Sequence, residues 1–420
     1  MLRSSLGFHT ITLSLPLLAN EANQLIADFC TYREKAGNIE IYRINEKNLP
    51  IIYYYSNYLM PLKTNIKFKG IDRGIRWCIR ESKRSHASSD YMVEVTINPK
   101  ILAGVPDYLT ASTYIIMGCV SASFDRISQT ISPLLHSFSD YRITRIDYCV
   151  NIALDEFISE CDPMQIMNLI KRSDIPPHYE EWMKYDDTAH RMKSRPESFY
   201  LKSNSVNINY YSKYLQLLNV SKENVEKGYN PVDPEILDTS RNIFRFEVQC
   251  KYYKIYSMSQ EAERLGDHSV NKYKTLLEPI KCIKIISDYY ARVIGKGDWY
   301  TLSEAIQIIK SKGYYCQKED CLIQALKYVS QCRSLAKAKA SCPIEKIGTF
   351  TRTLNQLEAL NINPVTIPRE WHIDHIPNLL RSYLDQLLKS SSDLSSQNME
   401  MNYYTAVQYR NYYEKFGSPI

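Results

Sequence analysis

The sequence lacks several features that would assign it to a common class of protein. Glycine is scarce, with 13 residues in 420, and there is no glycine-rich phosphate loop, so the chain is not a self-contained NTPase or helicase. No stretch reaches the roughly 18 apolar residues of a membrane span, and no cleavage site follows the apolar N-terminal segment. The eleven cysteines form neither a disulfide framework nor compact C-x2-C pairs. We therefore expect a soluble, cytoplasmic protein with reduced thiols and no membrane partner.

Tyrosine is the one residue type in clear excess, with 34 Tyr against 11 Phe and 4 Trp. A phenol ring offers a stacking face and a hydroxyl, which suits surfaces that bind single-stranded bases. An A/T-rich genome would produce the same excess, so both explanations stay open. The formal net charge is only +6, and a polyanionic partner would therefore have to bind a local basic patch.

A chain of 420 residues is too long for one ordinary hydrophobic core, and its periodicity changes along its length. The pattern predicts an α+β fold, with an antiparallel or mixed β-sheet that has helices on its outer face, followed by an all-helical C-terminal region. The predicted divisions are 1–120 and 121–295 for the two halves of the α+β region, 296–389 for a basic helical domain, and 390–420 for a linker and a Tyr-rich tail.

Several elements carry boundary signals of their own. Asp162 and Pro163 are typical of an N-cap and a first helical position, and they predict a helix that ends near Arg172. The sequence also predicts a strand over Val206–Leu217, a long loop over Asn219–Asp238 and one continuous helix over Glu319–Ala340.

The helical region is strongly basic. Between Lys281 and Arg352 there are thirteen Lys and Arg against six Asp and Glu, so this segment holds as much excess positive charge as the whole chain. Such helices can hold duplex DNA through phosphate contacts. A solvated bundle with lysines on its outer faces explains the same pattern equally well.

The segment Arg142 to Leu154, RITRIDYCVNIAL, alternates as a half-buried β-strand does. Its apolar face carries β-branched and aromatic residues. Its other face carries Arg145, Asp147 and Asn151, a set that solubility alone does not require. These side chains are candidates for a metal and phosphate site.

A second strand, Ile243 to Lys251, repeats the pattern, with Arg245 and Glu247 on its polar face. Asp147 and Glu247 each follow an Arg by two residues. Carboxylates hold the divalent metal in phosphodiester cleavage, and guanidinium groups bind phosphate. The alternative is a surface ladder of Arg–Asp and Arg–Glu pairs across neighbouring strands.

Tyrosines lie between these two strands in sequence. Tyr200 and Lys202 share one face of a predicted strand, and Tyr211 and Lys213 share one face of the next. Because the tyrosine pKa is near 10, a nucleophilic phenolate needs a neighbouring cation or metal. Either tyrosine meets this condition, and the other would then be a stacking residue.

The order of these motifs resembles a known family. The chain is similar to the replication initiation factor family, the trans-type rolling-circle Rep proteins of plasmids, phages and integrative elements. The similarity lies in the order RIDYCVN, then Tyr-x-x-Ser and Tyr-Ser-Lys, then RFEVQCK. The earlier YMVEVTINPKIL is similar to a strand of such proteins. The resemblance covers residues from about Gly7 to Ser259.

The resemblance implies an enzyme that nicks one strand of origin DNA with a strand-borne tyrosine, leaving a 5′-phosphotyrosine and a free 3′-OH. It implies Mg²⁺ or Mn²⁺ held by Asp147 and Glu247, with Asn151 where the family often has a second aspartate. It also implies duplex and single-stranded origin DNA, a host helicase and a homodimer as partners.

Two departures from the family pattern leave the nucleophile open between Tyr200 and Tyr211. Lys202–Ser203 stands where the family usually has Gly-Ser, and the Arg before the second tyrosine is lacking. Two other functions remain as alternatives. One is a non-catalytic protein that binds single-stranded nucleic acid on the same sheet, and the other is a metal-dependent nuclease that uses water directly.

Overall fold

The structure is a computed structural model of the 420-residue chain. It describes residues 4–36, 39–42, 54–55, 58–59, 62–68, 71–81, 91–105, 109–158, 161–186, 191–193, 195, 197–226, 230–390 and 400–420. Most of the predicted linker at 390–397 therefore lies outside the described residues.

The strands follow one another in chain order. They are β1 (Ser5–Leu17), β2 (Ile39–Tyr42), β3 (Tyr54–Tyr55), β4 (Tyr58–Leu59), β5 (Leu62–Phe68), β6 (Ile71–Glu81), β7 (Tyr91–Ile97), β8 (Arg142–Ala153), β9 (Glu180–Glu181), β10 (Lys184–Asp186), β11 (Arg191–Lys193), β12 (Ser198–Lys202), β13 (Val206–Ser212), β14 (Ile243–Cys250), β15 (Trp299–Tyr300) and β16 (His375–Ile376).

The helices become dominant in the second half of the chain. They are α1 (Ala19–Ala36), α2 (Pro99–Leu102), α3 (Met117–Ile131), α4 (Pro163–Lys171), α5 (Lys213–Glu226), α6 (Pro234–Thr239), α7 (Tyr252–Arg264), α8 (Tyr273–Leu276), α9 (Pro279–Val293), α10 (Leu302–Ser311), α11 (Cys316–Cys332), α12 (Leu335–Ser341), α13 (Ile344–Ala359), α14 (Leu379–Ser390) and α15 (Glu400–Phe416). The predicted α+β fold with a helical C-terminal region is confirmed.

The chain forms two compact units, and neither is continuous in sequence. The first unit contains Met1–Ser5, Cys149–Val248 and Ile283–Ile420, and the second contains Leu6–Tyr148 and Gln249–Cys282. Boundaries between the two units therefore fall inside strands, after Tyr148 in β8 and after Val248 in β14.

In the second unit the strand order is β2-β5-β6-β7-β1-β8. β1 and β7 run antiparallel, with Leu13 opposite Val95 and Ile11 opposite Ile97. All four of these side chains are fully buried. These facing apolar side chains form part of the core of the unit, and β8 is the next strand beyond β1 in the order.

In the first unit the strand order is β8-β14-β13-β12-β9. One face of this sheet is an aromatic core, where the Tyr210 ring stacks on Phe246 at 4.4 Å between centroids and Phe246 meets Tyr290 edge-on at 5.6 Å. Side chains alternate across a strand, so Tyr211, Arg245 and Glu247 project from the opposite face. That opposite face carries the candidate site.

A buried carboxylate joins several elements of the helical region in the first unit. Asp298 accepts hydrogen bonds from the Asn378 backbone N–H at 2.7 Å, Asn361 Nδ2 at 2.9 Å and His375 Nε2 at 3.0 Å, and it pairs with Arg381. Although burial opposes its charge, these donors lower the pKa of Asp298 below its ordinary value. The carboxylate thus connects β15, β16 and α14.

Local capping decides several helix boundaries. Asp162 Oδ1 accepts from the Met164 N–H at 2.6 Å, and Pro163 is the first residue of α4, as predicted.

Within the described residues, no helix is both long and apolar enough to span a bilayer.

Three element predictions are wrong. The strand predicted over Val206–Leu217 ends at Ser212, and α5 begins at the next residue. The loop predicted over Asn219–Asp238 contains the last part of α5 and all of α6 except Thr239. The continuous helix predicted over Glu319–Ala340 is broken, because Arg333 has a left-handed φ of 57° and Ser334 caps a new helix.

Candidate functional site

The polar face of β8 is buried from Asp147 onward, whereas the alternation of the sequence predicted a half-buried strand. Asp147 is 2% exposed and Asn151 is 0% exposed. Arg145 binds the Asp147 carboxylate with two hydrogen bonds, from Nε to Oδ1 at 2.8 Å and from Nη2 to Oδ2 at 2.6 Å. This bidentate pair lies within the second unit. It balances the charge of Asp147, which explains how the carboxylate is tolerated in a buried position.

The centre of the site in the first unit is a buried guanidinium. Arg245 is 0% exposed, and its Nε donates to Asn151 Oδ1 at 2.6 Å. Its Nη1 donates to the Tyr211 hydroxyl at 3.4 Å, and Nη2 has no hydrogen-bond partner among the described residues. Burial lowers the pKa of Arg245, but Tyr211, Cys149 and Glu247 raise it by more, so the side chain stays protonated.

Tyr211 lies between this cation and a carboxylate. Its hydroxyl donates to Glu247 Oε2 at 3.2 Å while accepting from Arg245. Burial raises the pKa of Tyr211 far above its ordinary value, and the opposing effect of Arg245 is smaller. The Tyr211 side chain, 9% exposed, is therefore a neutral phenol in a dry environment.

Tyr200 is on the same face but is half-buried and more accessible than Tyr211. In the antiparallel pair of β12 and β13, Tyr200 is opposite Asn209, and Tyr211 is opposite Ser198. The Tyr200 hydroxyl accepts a hydrogen bond from Asn207 Nδ2 at 2.9 Å. Both candidate tyrosines thus occupy one face of the sheet, with Tyr200 nearer its edge.

A cluster of cations and aromatic rings surrounds Tyr200. Trp182, 38% exposed, meets the Tyr200 ring edge-on at 5.6 Å, and its backbone N–H donates to the Tyr200 carbonyl oxygen at 2.7 Å. Arg195 Cζ lies 3.9 Å and Lys202 Nζ lies 4.1 Å from the Trp182 ring centroid. Arg195 Nε is buried and has no hydrogen-bond partner within the described part of the chain. The cluster presents aromatic surface and positive charge next to the Tyr200 hydroxyl.

Lys213 does not continue the alternation that was predicted for it. It is the first residue of α5, is 3% exposed, and donates from Nζ to Gln216 Oε1 at 2.8 Å. The change from strand to helix after Ser212 turns the Lys213 side chain out of the predicted series with Tyr211.

The structure brings together four of the predicted site residues, Asn151, Tyr211, Arg245 and Glu247, with Tyr200 on the same sheet face. Asp147 belongs to the other unit, where Arg145 binds it. Trp182, Arg195 and Asn207 were not predicted. A signal for Trp182 was present, because the sequence has only 4 Trp and this one lies in a polar segment.

The predicted metal ligands do not fit a divalent cation as they are arranged here. Both oxygens of Asp147 bind Arg145, and Asn151 Oδ1 binds Arg245. A metal ion at Asn151 would meet the buried guanidinium, and two cations repel strongly in a dry site. Among the described residues, no three or more His, Cys, Asp or Glu side chains are grouped so that they could hold a metal ion.

Comparisons with known proteins find little similarity. No protein-family model matches the chain, and no curated protein matches it. One solved structure, the rolling circle replication initiator protein from Geobacillus stearothermophilus, is similar with a TM-score of 0.30 and 8% sequence identity. The match covers 69% of this chain and 85% of that chain. A TM-score this low does not identify a shared fold, so function is inferred from the side chains of the site.

Proposed function

We propose that this protein nicks one strand of DNA with Tyr200 as the nucleophile and thereby starts rolling-circle replication. The observation that carries the proposal is the position of Tyr200, an accessible tyrosine on a sheet face that also holds the Arg245–Tyr211–Glu247 network. The motif order of the sequence supports the same function. Its substrate would be origin DNA, opened to a single strand where Tyr200 acts.

Accessibility favours Tyr200 over Tyr211. A nucleophile must reach the phosphorus of a bulky polyanion, and the Tyr211 hydroxyl is enclosed by Arg245 and Glu247. The raised pKa of Tyr211 also opposes the phenolate form that attack requires. At Tyr200, the Asn207 amide donates to the oxygen on which negative charge develops, and Lys202 Nζ lies 5.6 Å from the ring centroid.

The proposed step exchanges one ester for another. The Tyr200 oxygen forms a bond to phosphorus as the bond from phosphorus to the 3′ oxygen breaks. The phenol proton passes to water, and the departing 3′ oxygen takes up a proton from water. The products are a 5′-phosphotyrosine and a free 3′-OH, so the energy of the phosphodiester is retained for a later rejoining.

In this proposal Arg245 and Tyr211 are positioning residues. Arg245 is fully buried and acts through its hydrogen bonds to Asn151 and Tyr211 rather than through contact with DNA. Tyr211 in turn orients the Glu247 carboxylate. Mg²⁺ or Mn²⁺ remains a prediction from the family resemblance, and no part of the step above is assigned to it.

The helical region is proposed to hold duplex DNA beside the nick. Within the first unit, ten of the thirteen basic residues between Lys281 and Arg352 are exposed, as phosphate contacts require. These are Lys284, Arg292, Lys296, Lys310, Lys312, Lys327, Arg333, Lys337, Lys346 and Arg352. A host helicase, a second copy of the chain and a cytoplasmic location are further proposals that rest on the resemblance.

The test is a nicking assay on a supercoiled plasmid that carries the coding sequence with its flanking DNA, in Mg²⁺ or Mn²⁺ buffer. We expect relaxed plasmid with protein bound covalently to the 5′ end. Tyr200→Phe should abolish the covalent product, whereas Tyr315→Phe, a change at an exposed tyrosine in the helical region, should leave it unchanged. If Tyr200→Phe still forms the covalent product, the assignment of the nucleophile is wrong.

A second candidate function is non-catalytic binding of single-stranded nucleic acid. It is favoured by one observation, that Asp147 and Glu247 are already engaged by Arg145 and Tyr211. Under this function Glu247→Ala would leave all measurable activity intact, and no covalent product would form. Cleavage without covalent attachment would instead indicate a nuclease that uses water.

A further inference from the structure

Helix α7 begins with an unusual group of exposed aromatic side chains in the second unit. Tyr252, Tyr253 and Tyr256 are 38%, 70% and 56% exposed, and we call these three residues with Lys251 and Lys254 the α7 tyrosine patch. The Tyr252 and Tyr256 rings are nearly parallel, with centroids 6.3 Å apart. Tyr253 meets Tyr252 edge-on at 5.6 Å.

Packing of the helix does not account for these rings. The buried side of α7 is formed by Ile255, Met258 and Ala262, which repeat at helical spacing. The tyrosines project from the remaining surface, where any polar residue would be more soluble. Three large rings exposed within little more than one helical turn are characteristic of a binding surface.

The charge around the rings indicates the kind of partner. From Lys251 to Gln260 the chain has two lysines and no acidic residue, and Glu261 is the first acid of the helix. The other exposed positions of this stretch, Ser257 and Gln260, are polar and uncharged. Protein interfaces are also rich in tyrosine, but they are depleted in lysine. Aromatic faces with flanking cations instead match the bases and phosphates of a single strand.

We propose that the α7 tyrosine patch binds single-stranded DNA, with bases stacked on Tyr253 and Tyr256 and phosphates near Lys251 and Lys254. The inference rests on the proposed function only for the identity of the nucleic acid as DNA. The patch would hold the strand that is displaced or exposed when origin DNA opens. Its contribution is affinity for the strand, not a step of the cleavage reaction.

The test compares full-length variants for binding to a fluorescent oligo-dT and to a duplex of the same length, by fluorescence anisotropy. Replacement of Tyr252, Tyr253 and Tyr256 with Ser should weaken oligo-dT binding by about tenfold or more, since each of the two stacked bases contributes about fivefold or more. Replacement of the same tyrosines with Trp should retain the affinity. The matched control, Tyr315→Ser with Tyr413→Ser, removes two exposed rings elsewhere and should change little.

Several outcomes would overturn the proposal. An unchanged oligo-dT affinity in the triple Ser variant would contradict it. A shift from dimer to monomer in sedimentation without a loss of affinity would also contradict it, because that result would indicate a surface between copies of the chain. If the triple variant does not fold, Tyr253→Ser alone removes the most exposed ring and should still weaken binding severalfold. The oligo-dT assay measures binding and does not depend on cleavage. If Tyr200→Phe failed to affect nicking, the proposed nucleophile would be wrong, but the binding result for the α7 tyrosine patch would still stand.

Discussion

The buried contact between Arg245 and Asn151 allows a quantitative test of how the site is held together. Arg245→Met removes the hydrogen bond of 2.6 Å to Asn151 Oδ1 and the longer contact of 3.4 Å to the Tyr211 hydroxyl. A hydrogen bond to a charged group contributes about 1.5–3 kcal/mol, and the Asn151 oxygen loses this charged donor. The loss of the unpartnered Nη2 partly offsets this cost. We expect the free energy of unfolding to fall by about 2 kcal/mol.

Asn151→Leu should cost a similar amount, because it leaves the guanidinium buried without its closest acceptor. It also removes the bond from Asn151 Nδ2 to Ser5 Oγ at 3.3 Å, but that term cancels in a double-mutant cycle. In the double variant both polar partners are gone, and the loss should be smaller than the sum of the two single losses by about 2 kcal/mol.

The assay is guanidinium unfolding followed by tryptophan fluorescence, with Arg241→Met as the control. Arg241 is an exposed arginine whose side chain pairs with Asp238 at 2.7 Å, and because solvent screens this pair, its loss should leave the stability unchanged within the precision of the assay. Additive losses in the Arg245 and Asn151 cycle, to within about 0.5 kcal/mol, would refute the reasoning, since they would mean that the two side chains do not interact.

Three further predictions concern the rest of the site and the core. Burial holds the pKa of Tyr148, Tyr210 and Tyr211 above 10, so above pH 10 the folded state retains phenol protons that the unfolded chain loses. The free energy of unfolding should therefore fall by about 1.4 kcal/mol per pH unit for each of these tyrosines above pH 10. The phenolate absorbance of these three side chains should rise only when the protein unfolds. Asn151→Asp should leave the Mn²⁺ affinity in a calorimetric titration unchanged, because the added carboxylate would pair with the buried Arg245 guanidinium and not with a metal ion; binding about tenfold tighter than in the natural protein would contradict the conclusion that these ligands do not fit a divalent cation. Oligo-dT should quench the fluorescence of Trp182, the exposed tryptophan beside Tyr200. Trp182→Phe should abolish this quenching, although the other tryptophans are retained. Quenching that persists in the variant would mean that the oligonucleotide binds elsewhere.

The sequence predicted the strands of the site because their periodicity is local. RITRIDYCVN and IFRFEVQC alternate in the chain and form β8 and β14 in the structure. Alternation also assigned Arg245 and Glu247 to one face. It could not show that Arg245 on this face is fully buried, because burial depends on other elements that cover the strand.

Partners across the sheet were harder to predict than the strands. Arg245 and Asn151 are 94 residues apart, and no local pattern indicates that one binds the other. Trp182 was missed because the neighbouring strand β9 has only two residues, too few for a periodicity. Lys213 was assigned to the wrong element since its apolar neighbours fit both a strand and the first turn of α5.

The central claim, that Tyr200 is the nucleophile, can be measured directly on the covalent product. Trypsin cleaves after Lys and Arg but not before Pro, so Tyr200 falls in the peptide from Ser194 to Lys202, and Tyr211 falls in the peptide from Ser203 to Lys213. After nicking, nuclease trimming and digestion, mass spectrometry should find the added nucleotide on the first peptide. A nucleotide on the second peptide, or on neither, would contradict the claim.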